Sequence, residues 1–153
     1  MAEASQALTI MIVDDDELIR KVVTIYFGNR GHHVVNAVNG QDCLDKLQVG
    51  EPDAVLLDVT MPGMDGWEVC RRIRETSDVP IIMLTARAQG SDREMGVAVG
   101  ASAYVTKPMS LKELEARVRA LVTSRVALNP AGARPERTAT GDAGLSAEAA
   151  AVD

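Results

Sequence analysis

Ala54-Val55-Leu56-Leu57-Asp58-Val59-Thr60-Met61-Pro62-Gly63-Met64-Asp65-Gly66 is the stretch from which the fold can be read. The apolar run Ala54 to Leu57 is too short for a buried helix and rich in strand formers. It ends on a carboxylate and passes at once into a loop punctuated by Pro and Gly. Asp58 is therefore expected at the tip of a strand buried on both faces, where a side chain is held firmly yet faces an open loop.

The same pattern recurs on either side. Leu8 to Val13 reads as a buried strand that stops at Asp14-Asp15-Asp16, and Asp16 is placed to cap the helix that follows. In that helix Ile19, Val22, Val23 and Tyr26 recur at helical spacing, and Gly31 ends it. His33 to Ala37 is a short second strand, and Gln41 to Gln48 a helix with Leu44 and Leu47 inward, closed by Gly50. After the quoted loop a helix is expected near Trp67 to Glu75, then a fourth strand, Ile81 to Leu84, ending at Thr85. A loop, a helix over Arg93 to Val99 and a stop at Gly100 lead to a fifth strand, Ala103-Tyr104-Val105, which ends at Thr106-Lys107-Pro108. The last helix, Leu111 to about Ser124, has Leu111, Leu114, Val118 and Leu121 inward and Lys112, Glu113, Glu115, Arg117 and Arg119 outward.

Five strands alternating with five helices require an α/β fold, a doubly wound parallel sheet with right-handed crossovers and helices on both faces. In such a sheet all strand C-termini share one edge, and ligands bind there. Asp14 and Asp15 follow the first strand, Asp58 ends the third, Thr85 the fourth, and Lys107 follows the fifth. Three carboxylates, a hydroxyl and an ammonium are expected to converge.

With 153 residues, 46% of them hydrophobic, the chain has enough material for one ordinary core. Residues 1 to 7 read as a frayed end and 8 to 124 as the domain. Residues 125 to 153 read as an Ala/Gly/Pro-rich tail whose few large apolar side chains cannot offset its ordering entropy. A net charge of minus six disfavours non-specific binding to nucleic acid or to an anionic membrane. Residues 1 to 65 carry 11 acids against 4 bases, a local excess that suggests a cation site. Cys43 and Cys70 fall in helical patterns without metal-ligand spacing and read as structural thiols, as Trp67 and Ile73 read as packing. No basic patch precedes an apolar leader and no apolar run approaches a membrane span, so a cytoplasmic location is expected.

Two carboxylates 4 Å apart repel by about 4 kcal/mol at an effective dielectric of 20, so something positive must sit among three. Oxygen ligands in an open crevice suit Mg²⁺, which keeps several waters for an incoming phosphate. A metal, an ammonium, a hydroxyl and one accessible carboxylate are the parts of a phosphoryl-transfer site, with Asp58 the nucleophile.

At these residues the chain resembles the receiver domain of two-component response regulators, over residues 8 to about 122. The matching stretches are Val13-Asp14-Asp15-Asp16, Asp58 to Gly66, Leu84-Thr85-Ala86 and Gly100 to Pro108. Each is weak by itself; their order at the ends of the right strands is specific. The resemblance implies the flavodoxin-like strand order 2-1-3-4-5, for which the chemotaxis regulator of this family is a standard example. It implies Asp58 as phosphoacceptor, with Mg²⁺ held by Asp15, Asp58 and the Thr60 carbonyl, and by Asp14 through water. It further implies that Lys107 pairs with the phosphoryl group, that Thr85 hydrogen-bonds it, and that the Lys107–Pro108 bond is cis. The donor would be a sensor histidine kinase or a phosphotransfer protein. Thr85 and Tyr104 would switch the face of the fourth helix, fifth strand and fifth helix toward a downstream protein, while Thr60 and Arg87 tune the lifetime of the phosphorylated form. That face pairs two copies in one subfamily, but Ser102-Ala103 stands where its acidic pair is usual, and Met109 replaces the usual aromatic. With no output domain legible after residue 124, the readout is expected through a partner, without direct nucleic-acid binding by this chain.

Two rival readings compete. Haloacid-dehalogenase-like phosphatases also use an Asp nucleophile, a Thr, a Lys and Mg²⁺, but want a second acid where Thr60 stands. A degenerate receiver that is never phosphorylated is the other, although every required residue type is present. A nucleotide- or flavin-binding module would need a Gly-rich turn after the first strand, and none occurs.

Overall fold

The computed structural model of the chain describes residues 7–86, 98–107 and 110–128. Its elements in chain order are β1 (Thr9–Val13), α1 (Glu17–Asn29), β2 (His33–Ala37), α2 (Gly40–Val49), β3 (Ala54–Asp58), α3 (Gly66–Arg74), β4 (Ile81–Thr85), β5 (Ala103–Thr106) and α4 (Leu111–Leu128). The five strands form one sheet in the order β2-β1-β3-β4-β5, every pair parallel. The helix expected over 93–99 falls almost wholly on residues outside the described ones; Ala98 and Val99 are helical.

Side chains alternate across a strand, so the continuous apolar runs feed two separate cores. Met11, Val13, Val55, Leu57, Ile81 and Met83 face α2 and α3, where Cys43, Val69, Cys70 and Ile73 complete one layer. Ile10, Ile12, Leu56, Ile82 and Leu84 face the other way and pack on Val23 and Phe27 of α1 and on Leu114 and Val118 of α4. Both cysteines are free and buried, as their helical patterns implied.

The starts of α1, α2 and α3 each have a side-chain cap consistent with the sequence. Asp16 accepts from the Leu18 N–H, Asn39 from that of Asp42 and Asp65 from that of Glu68. Gly31, with φ of 92°, turns the chain out of α1.

One expectation about facing fails, and the apolar repeat of α1 divides between two faces. Val22 is 43% exposed, and with Leu18 and Ile25 it forms an outward apolar stripe, because the inward face of α1 runs through Val23 and Phe27. Glu115 is not an outward residue of the last helix; it is buried at 5% exposure against the end of α1. Its carboxylate accepts from Tyr26 Oη (3.2 Å), pairs with Arg30 and with Arg119 (3.7 Å), and lies 3.1 Å from His32 Nε2. His32 Nδ1 in turn accepts the Leu8 N–H at 3.1 Å, which fixes the hydrogen on Nε2 and makes the ring a donor to Glu115. These partners outweigh the effect of burial and hold the Glu115 carboxyl below its ordinary range.

At the other end of α4 the helix runs past Ser124 to Leu128, since Arg125 is anchored by Glu51 and Asp78. Arg74, at the end of α3, fastens the approach to β5: its guanidinium donates to the carbonyls of Gly100, Val79 and Ser77 and to Ser102 Oγ. Ser102 Oγ also accepts the Ile81 N–H.

Candidate functional site

Because all five strands run the same way, their C-terminal ends form one rim, and the registers Asp58↔Leu84 and Thr85↔Thr106 set its side chains nearly level. Asp14 follows β1 directly, its N–H bonded to the Ala37 carbonyl at 3.2 Å and one side-chain oxygen taking the Asp16 N–H at 2.9 Å. The rim is continued by Lys107, whose N–H donates to the Thr85 carbonyl at 2.7 Å.

Lys107 Nζ bridges two of the acids. It lies 3.2 Å from Asp14 Oδ2 and 3.1 Å from Asp58 Oδ1. Asp14, Asp15 and Asp58 each bring one carboxylate oxygen to within 4.8 Å of the others, with Asp15 exposed and the other two buried. Among the described residues this is the only such group of acids, cysteines or histidines.

Burial, and then the Asp14 charge, push the Asp58 carboxyl above its ordinary value; Lys107 and a hydrogen bond from the Thr60 backbone counteract them in part. Burial alone would pull Lys107 down, but Asp14 and Asp58 outweigh it and the ammonium is held more firmly than usual. Three carboxylates thus gather around the one ammonium in this pocket.

The loop that presents Asp58 is held by Gly66. Its N–H donates to the Val59 carbonyl at 2.9 Å, and a Cβ there would stand 2.2 Å from the Asp58 carbonyl oxygen and 2.8 Å from Val59 Cα. Only Gly lets α3 begin this close to the strand end. Gly63 supplies the loop's left-handed residue, with φ of 79°.

The structure thus brings Asp14, Asp15, Asp58 and Lys107 together. Thr85 is buried at the same edge, at the end of β4. Thr60 is exposed in the loop after Asp58. Tyr104 sits mid-strand in β5, paired in register with Met83, its ring packed on the α2/α3 core layer and its hydroxyl oxygen shielded from solvent. Arg87, Pro108 and Met109 lie outside the described residues. Arg20 and Gly66 were not singled out from sequence. Gly66 had a signal in the Asp65-Gly66 turn, whereas nothing in the sequence marks Arg20, whose Nη1 donates to the Asp14 carbonyl at 2.7 Å.

Residues 10–119 match the family model described as the response regulator receiver domain. The chain belongs to that family. The receiver is 48% identical over 113 residues to a probable transcriptional regulator of Guillardia theta, ycf27, covering 74% of this chain and 44% of that protein. It is 43% identical over 114 residues to the transcriptional regulatory protein AfsQ1 of Streptomyces coelicolor, covering 74% and 51%. The chain thus spans about half the length of the curated relatives it matches. Among solved structures, the receiver superposes on the chemotaxis protein CheY4 of Vibrio cholerae with a TM-score of 0.72 at 30% identity, covering 75% of this chain and 98% of that one. A putative response regulator from Chloroflexus aurantiacus gives 0.70 at 35% identity, covering 75% and 97%. Receivers are signalling domains served by histidine kinases or phosphotransfer proteins. No described helix of this one is long and apolar enough to cross a membrane.

Proposed function

We propose that this receiver takes a phosphoryl group onto Asp58 from a phosphohistidine of a kinase or phosphotransfer protein, with Mg²⁺ bound beside it. The observation that carries the reading is the Lys107 ammonium held between Asp58 and Asp14 at the open rim. An Asp58 oxygen attacks phosphorus, the donor's P–N bond breaks, and the imidazole leaves with the bonding electrons and takes up a proton. Burial makes the Asp58 carboxylate more basic and hence a better nucleophile, while Lys107 keeps its charge tolerable. Lys107 then follows the transferred phosphoryl oxygens, and the Thr85 hydroxyl, at the end of the neighbouring strand, donates to another.

The donor set suits the metal: oxygens only, partly exposed, and in excess of the one resident cation. Asp15 and Asp58, with the Thr60 carbonyl, would hold Mg²⁺ directly and Asp14 through water. When bound, the ion supplies charge neutralisation for the phosphoryl oxygens. In this reading the chain assists its own phosphorylation and dephosphorylation without being an enzyme for other substrates. Thr60 and Arg87 tune the lifetime of the acyl phosphate.

Output follows from contacts that exist only when phosphate is present. A pull on Thr85 repositions its neighbour strand, and Tyr104 turns within β5, reshaping the face of β5, α4 and the preceding helix for a downstream protein or a second copy. The relatives are named transcriptional regulators, and a net charge of minus six over the chain disfavours non-specific binding to nucleic acid by the chain itself.

Incubation with acetyl phosphate and Mg²⁺, read by intact mass, should add one phosphoryl group to the wild type and none to Asp58→Asn. Labelling that survives in the variant, or a wild type that takes no label, refutes the assignment. Sustained release of product from a generic phosphate ester would favour the phosphatase reading, against which Thr60 already stands.

A further inference from the structure

Arg20 closes the first turn of α1, where its own N–H donates to the Asp16 carbonyl at 3.1 Å. Its side chain reaches back over the three-residue connection from β1, and Nη1 donates to the Asp14 carbonyl at 2.7 Å. A cation near a helix N-terminus opposes the helix dipole, so its presence here has a local cause. That cause is the Asp14 carbonyl. The other contacts on Asp14 come from the Ala37 carbonyl, the Asp16 N–H and Lys107. Among the described side chains that hold Asp14, only Arg20 grips its backbone and is not itself in the pocket.

We propose that Arg20 is a positioning residue for the acidic pocket: its grip on the Asp14 carbonyl fixes the turn carrying Asp14 and Asp15, and so sets the affinity for a divalent cation. The inference rests on the reading of that pocket as a Mg²⁺ site. Charge and position predict opposite signs. A guanidinium acting through its charge alone repels Mg²⁺, and its removal tightens binding; a guanidinium acting through position loosens binding when removed. Supporting groups behind metal ligands typically change affinity by about 10- to 100-fold.

The test is calorimetric titration of the full chain with MgCl₂, comparing wild type, Arg20→Met, Arg20→Lys and Lys21→Met. Lys21 is an exposed cation on the same helix and serves as the charge control. Arg20→Met should bind Mg²⁺ about tenfold more weakly, Arg20→Lys in between, and Lys21→Met as tightly as wild type or slightly more tightly. Melting in EDTA checks that each variant folds; if Arg20→Met does not, Arg20→Lys decides, and wild-type affinity in it overturns the proposal. Affinity in Arg20→Met equal to or above wild type also overturns it, leaving the cation site intact. A wild type that binds no Mg²⁺ overturns the cation-site reading and this inference with it.

Discussion

Replacing Asp58 with Asn should stabilise the protein at neutral pH in the absence of divalent ions. The Asp58 side chain is 7% exposed, lies 3.1 Å from Lys107 Nζ and has an oxygen within 4.8 Å of one from Asp14. At an effective dielectric of about 20, Lys107 contributes roughly 5 kcal/mol of attraction and Asp14 about 3.5 kcal/mol of repulsion. Loss of water around a buried carboxylate costs on the order of several kcal/mol more, so the ionised group is a net liability of about 2 kcal/mol. The raised Asp58 pKa has the same sign, with burial and Asp14 outweighing Lys107 and Thr60. A carboxyl whose folded pKa is raised contributes stability that is fully present below its ordinary value of 3.8 and is lost as pH rises through the raised value. The Asn variant avoids that loss while keeping an oxygen for Lys107. Urea unfolding in EDTA should therefore show the variant about 2 kcal/mol more stable at neutral pH, equivalent to about 8 °C in Tm, with the gap shrinking at about pH 4. Saturating Mg²⁺ should narrow the gap by stabilising the wild type more. A variant no more stable than wild type, or an advantage unchanged in acid, refutes this account of the pocket.

Glu115→Gln should lose about 2 kcal/mol at neutral pH, since it leaves Arg30, Arg119 and His32 around an uncharged group. The Glu115 pKa is lowered, so its stabilisation is present above the ordinary value of 4.5 and fades as pH falls through the lowered one; urea curves at both ends of that range should converge in acid. Gly66→Ala forces a Cβ against the Asp58 carbonyl and Val59 Cα, and should cost about 3 kcal/mol or more and slow labelling by acetyl phosphate. Burial pushes the thiols of Cys43 and Cys70 up to about 12 and about 11, so neither should react with a disulfide reagent at mildly alkaline pH until the chain is unfolded in urea.

Much of the sheet was legible because a strand buried on both faces must be apolar throughout, and the run from Val55 to Leu57 admits little else. Parallel order then followed from the alternation with helices, and with it the rim that holds Asp14, Asp58, Thr85 and Lys107. Helix faces were less legible: Val22 and Val23 both fit the helical repeat of α1, and only the packed structure shows Val23 buried and Val22 exposed.

The order and nature of residues along the chain determined by themselves which strands form, where each ends and which chemical groups stand at those ends, because these depend on local apolar runs and on the direction imposed by crossovers. Tertiary packing alone decided that one ammonium reaches two carboxylates at once, that Gly66 touches the backbone of Asp58, that Arg20 grips Asp14, and that an acid on the last helix is buried against His32. Those are distances between residues remote in sequence or across a turn, fixed to a few tenths of an ångström by how the layers settle, and no periodicity in one chain encodes them.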